Sequence, residues 1–217
     1  MDMNSRSSNA KKTIMKNIRE AMNSWSPVTH KNPNFDAPVF QSFDTPKEIT
    51  FARQLDNVGG KFVFCEDRNE LHRSLKEVVN RQQLNSVFCH DPELQKILMD
   101  TLIPFTSGSD DFENMEAAIT FCECLIARFG SVVFSSEQTG RELIASPPVQ
   151  MVIAFTSQLV SETGEALAMI NKKYGDQKPS MLTMTTGPSR TADIEKTLIM
   201  GAHGPKELIV FLVNDEI

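Results

Sequence analysis

Little in this chain of 217 residues marks a redox or metal centre. Its four cysteines are Cys65, Cys89, Cys122 and Cys124, and no two have C-x-x-C spacing. Cys122-Glu123-Cys124 is a C-x-C, which splays its thiols on a helix and puts them on one face of a strand. Zinc or an iron–sulfur cluster needs more ligands at better spacing, so the expectation is free, buried thiols. His30, His72, His90 and His203 do not form an HExxH pattern, and no metal or cofactor is predicted. The longest apolar runs, Met151 to Phe155 and Leu208 to Val213, are too short to span a bilayer. Residues 1–24 are polar and charged, without the apolar core of a secretory signal, so a cytoplasmic location without membrane association is expected. With a net charge of −6 and no basic stripe, nucleic acid is not an expected partner. Glu66-Asp67-Arg68-Asn69 follows the first predicted strand where a dinucleotide site would carry glycines, and neither a phosphate-binding P-loop nor a G-x-S-x-G elbow occurs.

What is present is alternation. Ile14, Ile18, Ala21 and Met22 form one apolar stripe, which predicts a helix over residues 8–24. Residues 25–43 hold three prolines among Asn, Ser and Asp and read as an extended linker. The expected organisation is a helix with linker over residues 1–43 and one α/β domain over 44–217. In the domain, Thr45-Pro46-Lys47-Glu48 reads as a capping box, and Gly59-Gly60 as a helix stop. Lys61 to Cys65 and Ser86 to Cys89 read as apolar strands, with Asp67 and Asp91 capping the helices that follow. Ala117 to Thr120, Ser131 to Phe134, Gln150 to Phe155, Met181 to Met184 and Leu208 to Val213 extend the strand set, and a helix from about Ser161 ends at Gly175. Apolar strands alternating with capped helices predict a mostly parallel sheet covered on both faces.

Thr185-Thr186-Gly187-Pro188-Ser189-Arg190-Thr191 sits where a strand breaks, and the residues that follow read as a helix. Unpaired amides at a helix start, two hydroxyls and a forked cation are the chemistry of an anion site. A plain capped helix, with Asp193 and Glu195 offsetting the dipole, accounts for the same residues. Ligands of open parallel sheets bind beyond the C-terminal strand ends. Cys65, Cys89, His90 and the Ser135-Ser136-Glu137 turn fall at such ends and are candidates to converge with this loop.

Thr186-Gly187-Pro188-Ser189-Arg190-Thr191-Ala192-Asp193-Ile194-Glu195, followed by Gly201-Ala202-His203-Gly204-Pro205-Lys206-Glu207-Leu208, resembles the paired signature of the LUD (lactate utilisation) domain family, in its protein C branch. The resemblance covers roughly residues 40–217. It implies a three-layer α/β fold similar to the sugar-phosphate isomerase and CoA-transferase superfamily. It also implies a non-redox role in oxidising L-lactate to pyruvate beside iron–sulfur companion proteins. Three positions depart from the family pattern: Glu123 stands for an aspartate, Arg128 for an acid, and Gln150 for a histidine. Gln150 keeps hydrogen bonding but shuttles no proton near neutral pH.

The candidate ligand-binding residues are Thr186, Gly187, Ser189, Arg190, Thr191, Asp193, His203, Glu123, Arg128 and Ser136. Arg190 would grip a carboxylate or phosphate, His203 would donate or act as an acid, and Glu123 would serve as a base or pair with Arg128. A surface salt bridge for Arg190 and a backbone-bonded loop His203 are the plain structural alternatives. The expected partners are an anionic small molecule, the iron–sulfur companions and a second copy in a homo-oligomer. Rival functions are a stand-alone enzyme on a phosphorylated or CoA-linked substrate, and a ligand-sensing scaffold.

Overall fold

The computed structural model describes residues 3–24, 43–108, 112, 114–191, 199–201 and 204–215. The chain divides into two compact units, residues 1–42 and 43–217. The first contains helix α1 (Met3–Ser24), where Ile14, Ile18 and Met22 of the predicted stripe are solvent-exposed.

The second unit opens with α2 (Lys47–Asn57), β1 (Lys61–Cys65), α3 (Arg68–Gln82), β2 (Val87–Phe88), α4 (Pro92–Asp100) and β3 (Phe105–Thr106). Local chemistry sets these boundaries. The Asp67 carboxylate accepts from the Glu70 amide at 2.8 Å, and the Asp91 carboxylate from Glu93 and Leu94 at 2.8 and 3.2 Å. Each cap satisfies amides that the first helical turn leaves open. Gly59 at φ 81° ends α2 as expected. Its start differs from the capping box: Thr45 bonds the Thr50 hydroxyl at 2.8 Å, and Pro46 occupies the N-cap position. Pro46 has no side-chain acceptor to offer the amides.

The chain continues through β4 (Ala117–Phe121), β5 (Cys124–Ile126), β6 (Ser131–Ser135), β7 (Val149–Phe155), β8 (Leu159–Val160), α5 (Thr163–Tyr174), β9 (Leu182–Thr186), β10 (Arg190–Thr191), β11 (Ile199–Met200) and β12 (Glu207–Val213). A six-stranded sheet runs β1-β12-β7-β4-β2-β3, and every adjacent pair in it is parallel. The predicted α/β class with a mostly parallel sheet is therefore present. Period-two alternation sorts its central strands between two cores. Met151, Ile153, Ile209 and Phe211 face Leu71, Leu75, Leu94 and Leu98 of α3 and α4. Val152, Ala154, Val210 and Leu212 face the other way, against Phe51 and Leu55 of α2 and a second sheet.

That second sheet, β8-β5-β6-β9, corrects the expectation that Ser131 to Phe134 and Met181 to Met184 extend the parallel one. β5 pairs antiparallel with β6, and β6 antiparallel with β9. The tight turn Ala127–Gly130 returns the chain directly, whereas a parallel pair needs a crossover. The second face of the large sheet thus carries a sheet as well as a helix. α5 packs outside, its Ala166 and Ile170 on Cys124, Ile126 and Val133.

Gly130 fixes the distance between α2 and the second sheet. Its φ is 62°, and a Cβ there would lie 2.3 Å from the Leu55 amide nitrogen and 2.6 Å from the Gln54 carbonyl carbon. Gly130→Ala is therefore expected to cost about 2–4 kcal/mol through strain and backbone overlap. Urea unfolding measures this, and a loss under about 0.5 kcal/mol would show that the two elements separate easily.

Candidate functional site

The sequence-predicted residues fall at two places. β6 and β9 run antiparallel, with Ser131 opposite Thr186 and Ser135 opposite Leu182. Four residue steps, roughly 14 Å, separate the two ends of the ladder. Thr186, Gly187, Ser189 and Arg190 lie at the first end, while Glu123 and Ser136 lie at the second. Asp193 and His203 lie outside the described residues.

At the second end Glu123 follows β4 directly, where the chain leaves the parallel sheet for β5. Its side chain is 1% exposed. One carboxylate oxygen accepts from the Ser135 hydroxyl and the Tyr174 phenol, each at 2.5 Å, and the other from Lys173 Nζ at 2.7 Å. The Gln138 amide donates to Ser135 Oγ at 3.1 Å. A carboxylate without partners here would carry a large desolvation cost, and three charge-assisted bonds offset it. Burial pushes the Glu123 carboxyl up, but the bonds from Lys173, Ser135 and Tyr174 outweigh it, and the group ends below its ordinary value. Burial lowers Lys173, and its bond to Glu123 more than compensates, so the ammonium ends above its ordinary value. A carboxylate held ionised and saturated in this way suits a structural anchor better than a proton-transfer base.

Lys173 and Tyr174 escaped the sequence reading. The signal was available: Ala166, Ile170 and Tyr174 recur every four residues, so the only tyrosine of the chain closes the buried face of α5. Ser136 lies beside the cluster, and its hydroxyl bonds Ser180 at 3.0 Å. Arg128 does not pair with Glu123. Its Nε donates to Glu162 at 2.6 Å, a second nitrogen contacts the same carboxylate, and the guanidinium lies 4.5 Å from the Phe43 ring centroid. Arg128 and Lys173 thus fasten α5 to the second sheet at opposite ends of the helix.

At the first end, Ser189 leads into a short strand, Arg190–Thr191, and residues 192–198, where the helix was expected to run, lie outside the described residues. Gly187 turns at φ 73°, and Arg190–Thr191 pairs antiparallel with Ile199–Met200. The Ser189 amide donates to the Pro205 carbonyl at 2.8 Å and the Ser189 carbonyl accepts from Gly201 at 3.0 Å, so its backbone is engaged by the returning chain. Thr186 Oγ bonds Ser131 Oγ at 2.7 Å. Arg190 Nη2 donates to the Val58 carbonyl at the C-terminus of α2, at 2.5 Å, which places a cation at the negative end of that helix. The guanidinium is exposed, and among the described residues no carboxylate pairs with it. A cleft of about 320 Å³ runs along Thr183–Arg190, with Ile144, Ala145, Gly204 and Pro205 on its far side.

The cysteines are buried and unpaired by disulfides. Burial raises Cys65 to about 11 and both Cys89 and Cys124 to about 12, and pushes Cys122 well up. Such thiols are protonated and poorly nucleophilic. Among the described residues no three His, Cys, Asp or Glu side chains are placed to share a metal ion.

The Glu123 cluster predicts how stability depends on pH. A carboxyl whose folded value is lowered stabilises fully above its unfolded value, and the stabilisation fades as pH falls through the folded one. Lys173, raised, stabilises fully below its unfolded value and loses this as pH climbs through the folded one. Glu123→Gln is expected to cost about 1–3 kcal/mol near neutrality, with the gap to the parent narrowing in acid below the ordinary carboxyl range. Thermal melts of both proteins across pH measure the gap; a gap constant into strong acid would contradict an ionised anchor.

Residues 106–213 match the model of the LUD domain. The chain is 36% identical over 115 residues to a "Lactate utilization protein C" of Bacillus licheniformis, covering 50% of this chain and 48% of that protein. It is 37% identical over 114 residues to the Bacillus subtilis protein of the same name, again covering 50% of this chain and 48% of that one. The chain thus spans about half the length of these curated relatives. A crystal structure of a DUF162 family protein from Deinococcus radiodurans superposes with a TM-score of 0.59 at 15% identity, covering 77% of this chain and 96% of that one. At that identity the likeness establishes the fold. Through residues 106–213, which hold β4 to β12 and both ends of the β6–β9 ladder, the chain belongs to the LUD domain family.

Proposed function

We propose that this protein serves the oxidation of L-lactate to pyruvate as a subunit without a redox centre of its own, beside iron–sulfur companion proteins. The observation carrying the proposal is the match, over half the chain, to relatives named for lactate utilisation. Oxidising a 2-hydroxy acid to a 2-oxo acid removes two electrons and two protons, so an acceptor must take them. Isolated thiols with raised pKa values are poor candidates, and the reading assigns the electrons to the companions. In this reading Arg190 is the contact for a negatively charged guest. What supports that role is its exposure, the adjoining cleft, and the lack of a carboxylate partner among the described residues. The Glu123 cluster would hold the second sheet in place under the cleft and do no proton transfer.

A clean deletion in the parent organism tests the proposal. The strain is expected to grow on pyruvate and fail on L-lactate, with growth restored by the full-length gene. Purification of a tagged chain from lactate-grown cells is expected to bring down an iron–sulfur protein. Undiminished growth on L-lactate, with no second copy of the gene present, would remove the lactate assignment.

A further inference from the structure

β9 is an edge strand. β6 holds one side of it, and among the described residues no strand pairs with the other. Natural proteins usually blunt such an edge with charge, proline or brevity. Leu182-Thr183-Met184-Thr185-Thr186 contains neither charge nor proline. Two of its three outward positions are apolar, Leu182 at 39% and Met184 at 51% exposed, and the third is Thr186. The cleft beside Thr183–Arg190 runs along this strand.

A cation stands near each end of the edge. Arg190 stands past the Gly187 end. Beyond the other end, Arg141 Nη2 donates to Ser180 Oγ at 2.9 Å, and that side chain too is exposed. Among the described residues neither guanidinium has a carboxylate partner, and no acid lines the cleft, in a chain whose net charge is −6.

We propose that the open edge of β9 takes up an extended, acidic peptide segment of a partner protein as an additional strand. Main-chain bonds to β9 would supply affinity, alternate side chains would cover Leu182 and Met184, and carboxylates at the two ends would meet Arg141 and Arg190. Two cations bracketing five strand residues, roughly 17 Å of extended chain, ask for acids about that far apart. A second copy of this chain fits less well. Antiparallel pairing of β9 with itself about Met184 would bring the Arg141 end of one strand to the Arg190 end of the other, cation against cation. The inference rests on the reading of Arg190 as an anion contact and names the carrier of that anion.

The test uses the full-length chain and three peptides: acetyl-Asp-Thr-Val-Thr-Val-Thr-Asp-amide, its analogue with Lys at both ends, and the acidic peptide N-methylated at alternate amides. Hydrogen exchange mass spectrometry and fluorescence anisotropy are the readouts. The acidic peptide is expected to slow exchange in residues 181–187, and to bind at least about tenfold more tightly than either control. Added salt weakens it. Arg141→Glu, at an exposed position bonded to Ser180 among the described residues, is expected to cost a similar factor, and Arg190→Glu more. Equal binding of all three peptides, or no protection of β9 at about 1 mM peptide, would overturn the proposal. So would concentration-dependent protection of β9 without peptide, accompanied by a dimer in light scattering. L-lactate perturbing Arg190 while no peptide protects β9 would also overturn it, leaving the small-anion reading of the site in place.

Discussion

One buried, fully bonded carboxylate fixes how α5 and β6 meet where the chain passes from the first sheet to the second. Glu123 sits where the chain first leaves the parallel sheet, between β4 and β5, and its three donors come from β6 and from the last turn of α5. Hydrophobic packing brings these elements together without fixing their rotation, because apolar contact is non-directional. An ionised group in a dry place tolerates few arrangements, since any slip leaves it unbonded. Arg128 repeats the device at the other end of α5, where Glu162 and the Phe43 ring share its guanidinium. Two ion pairs of opposite sense thus define where α5 lies, and with it the outer face of β5 and β6.

Those elements whose structure is decided within a few residues were legible in the sequence. Asp67 and Asp91 cap as their spacing requires, and Gly59 and Gly175 stop helices where expected. The alternation of apolar strands with capped helices pointed to a parallel sheet, and six strands form one. Strand partnership was not legible. β6 and β9 are as apolar or β-branched as β4 and β7; the four-residue turn before Ser131 sets β6 antiparallel to β5, and β9 joins β6 only after α5 intervenes. Of the site, Glu123 was visible as an acid between two cysteines. Its partners Lys173 and Tyr174 lie 50 and 51 positions away in sequence and Ser135 lies 12 away, distances at which spacing carries no information.

The loop after β9 shows a different limit. Gly187-Pro188-Ser189 has the composition of a helix start, yet the same residues serve equally well as a turn into a short hairpin. Tertiary contact decides between them. The Gly187 Cα lies so close to Val58 that a Cβ would come within 2.7 Å of its carbonyl oxygen, and Arg190 reaches that same oxygen. The end of α2 therefore presses the loop into its course, and it is α2 that a reading of the loop alone leaves out.

The place of β12 in the large sheet has a consequence for how the protein is made. β12 lies between β7 and β1, so Lys61–Cys65 waits beside an unfilled slot until residues 207–213 have left the ribosome. Contacts this distant in sequence form slowly. A segment trimmed to the family-matched stretch, 106–213, would lack β1 and β2 and present two raw parallel edges to solvent. The unit that similarity recognises is thus smaller than the unit that can fold, and an expression boundary belongs ahead of α2, not at residue 106.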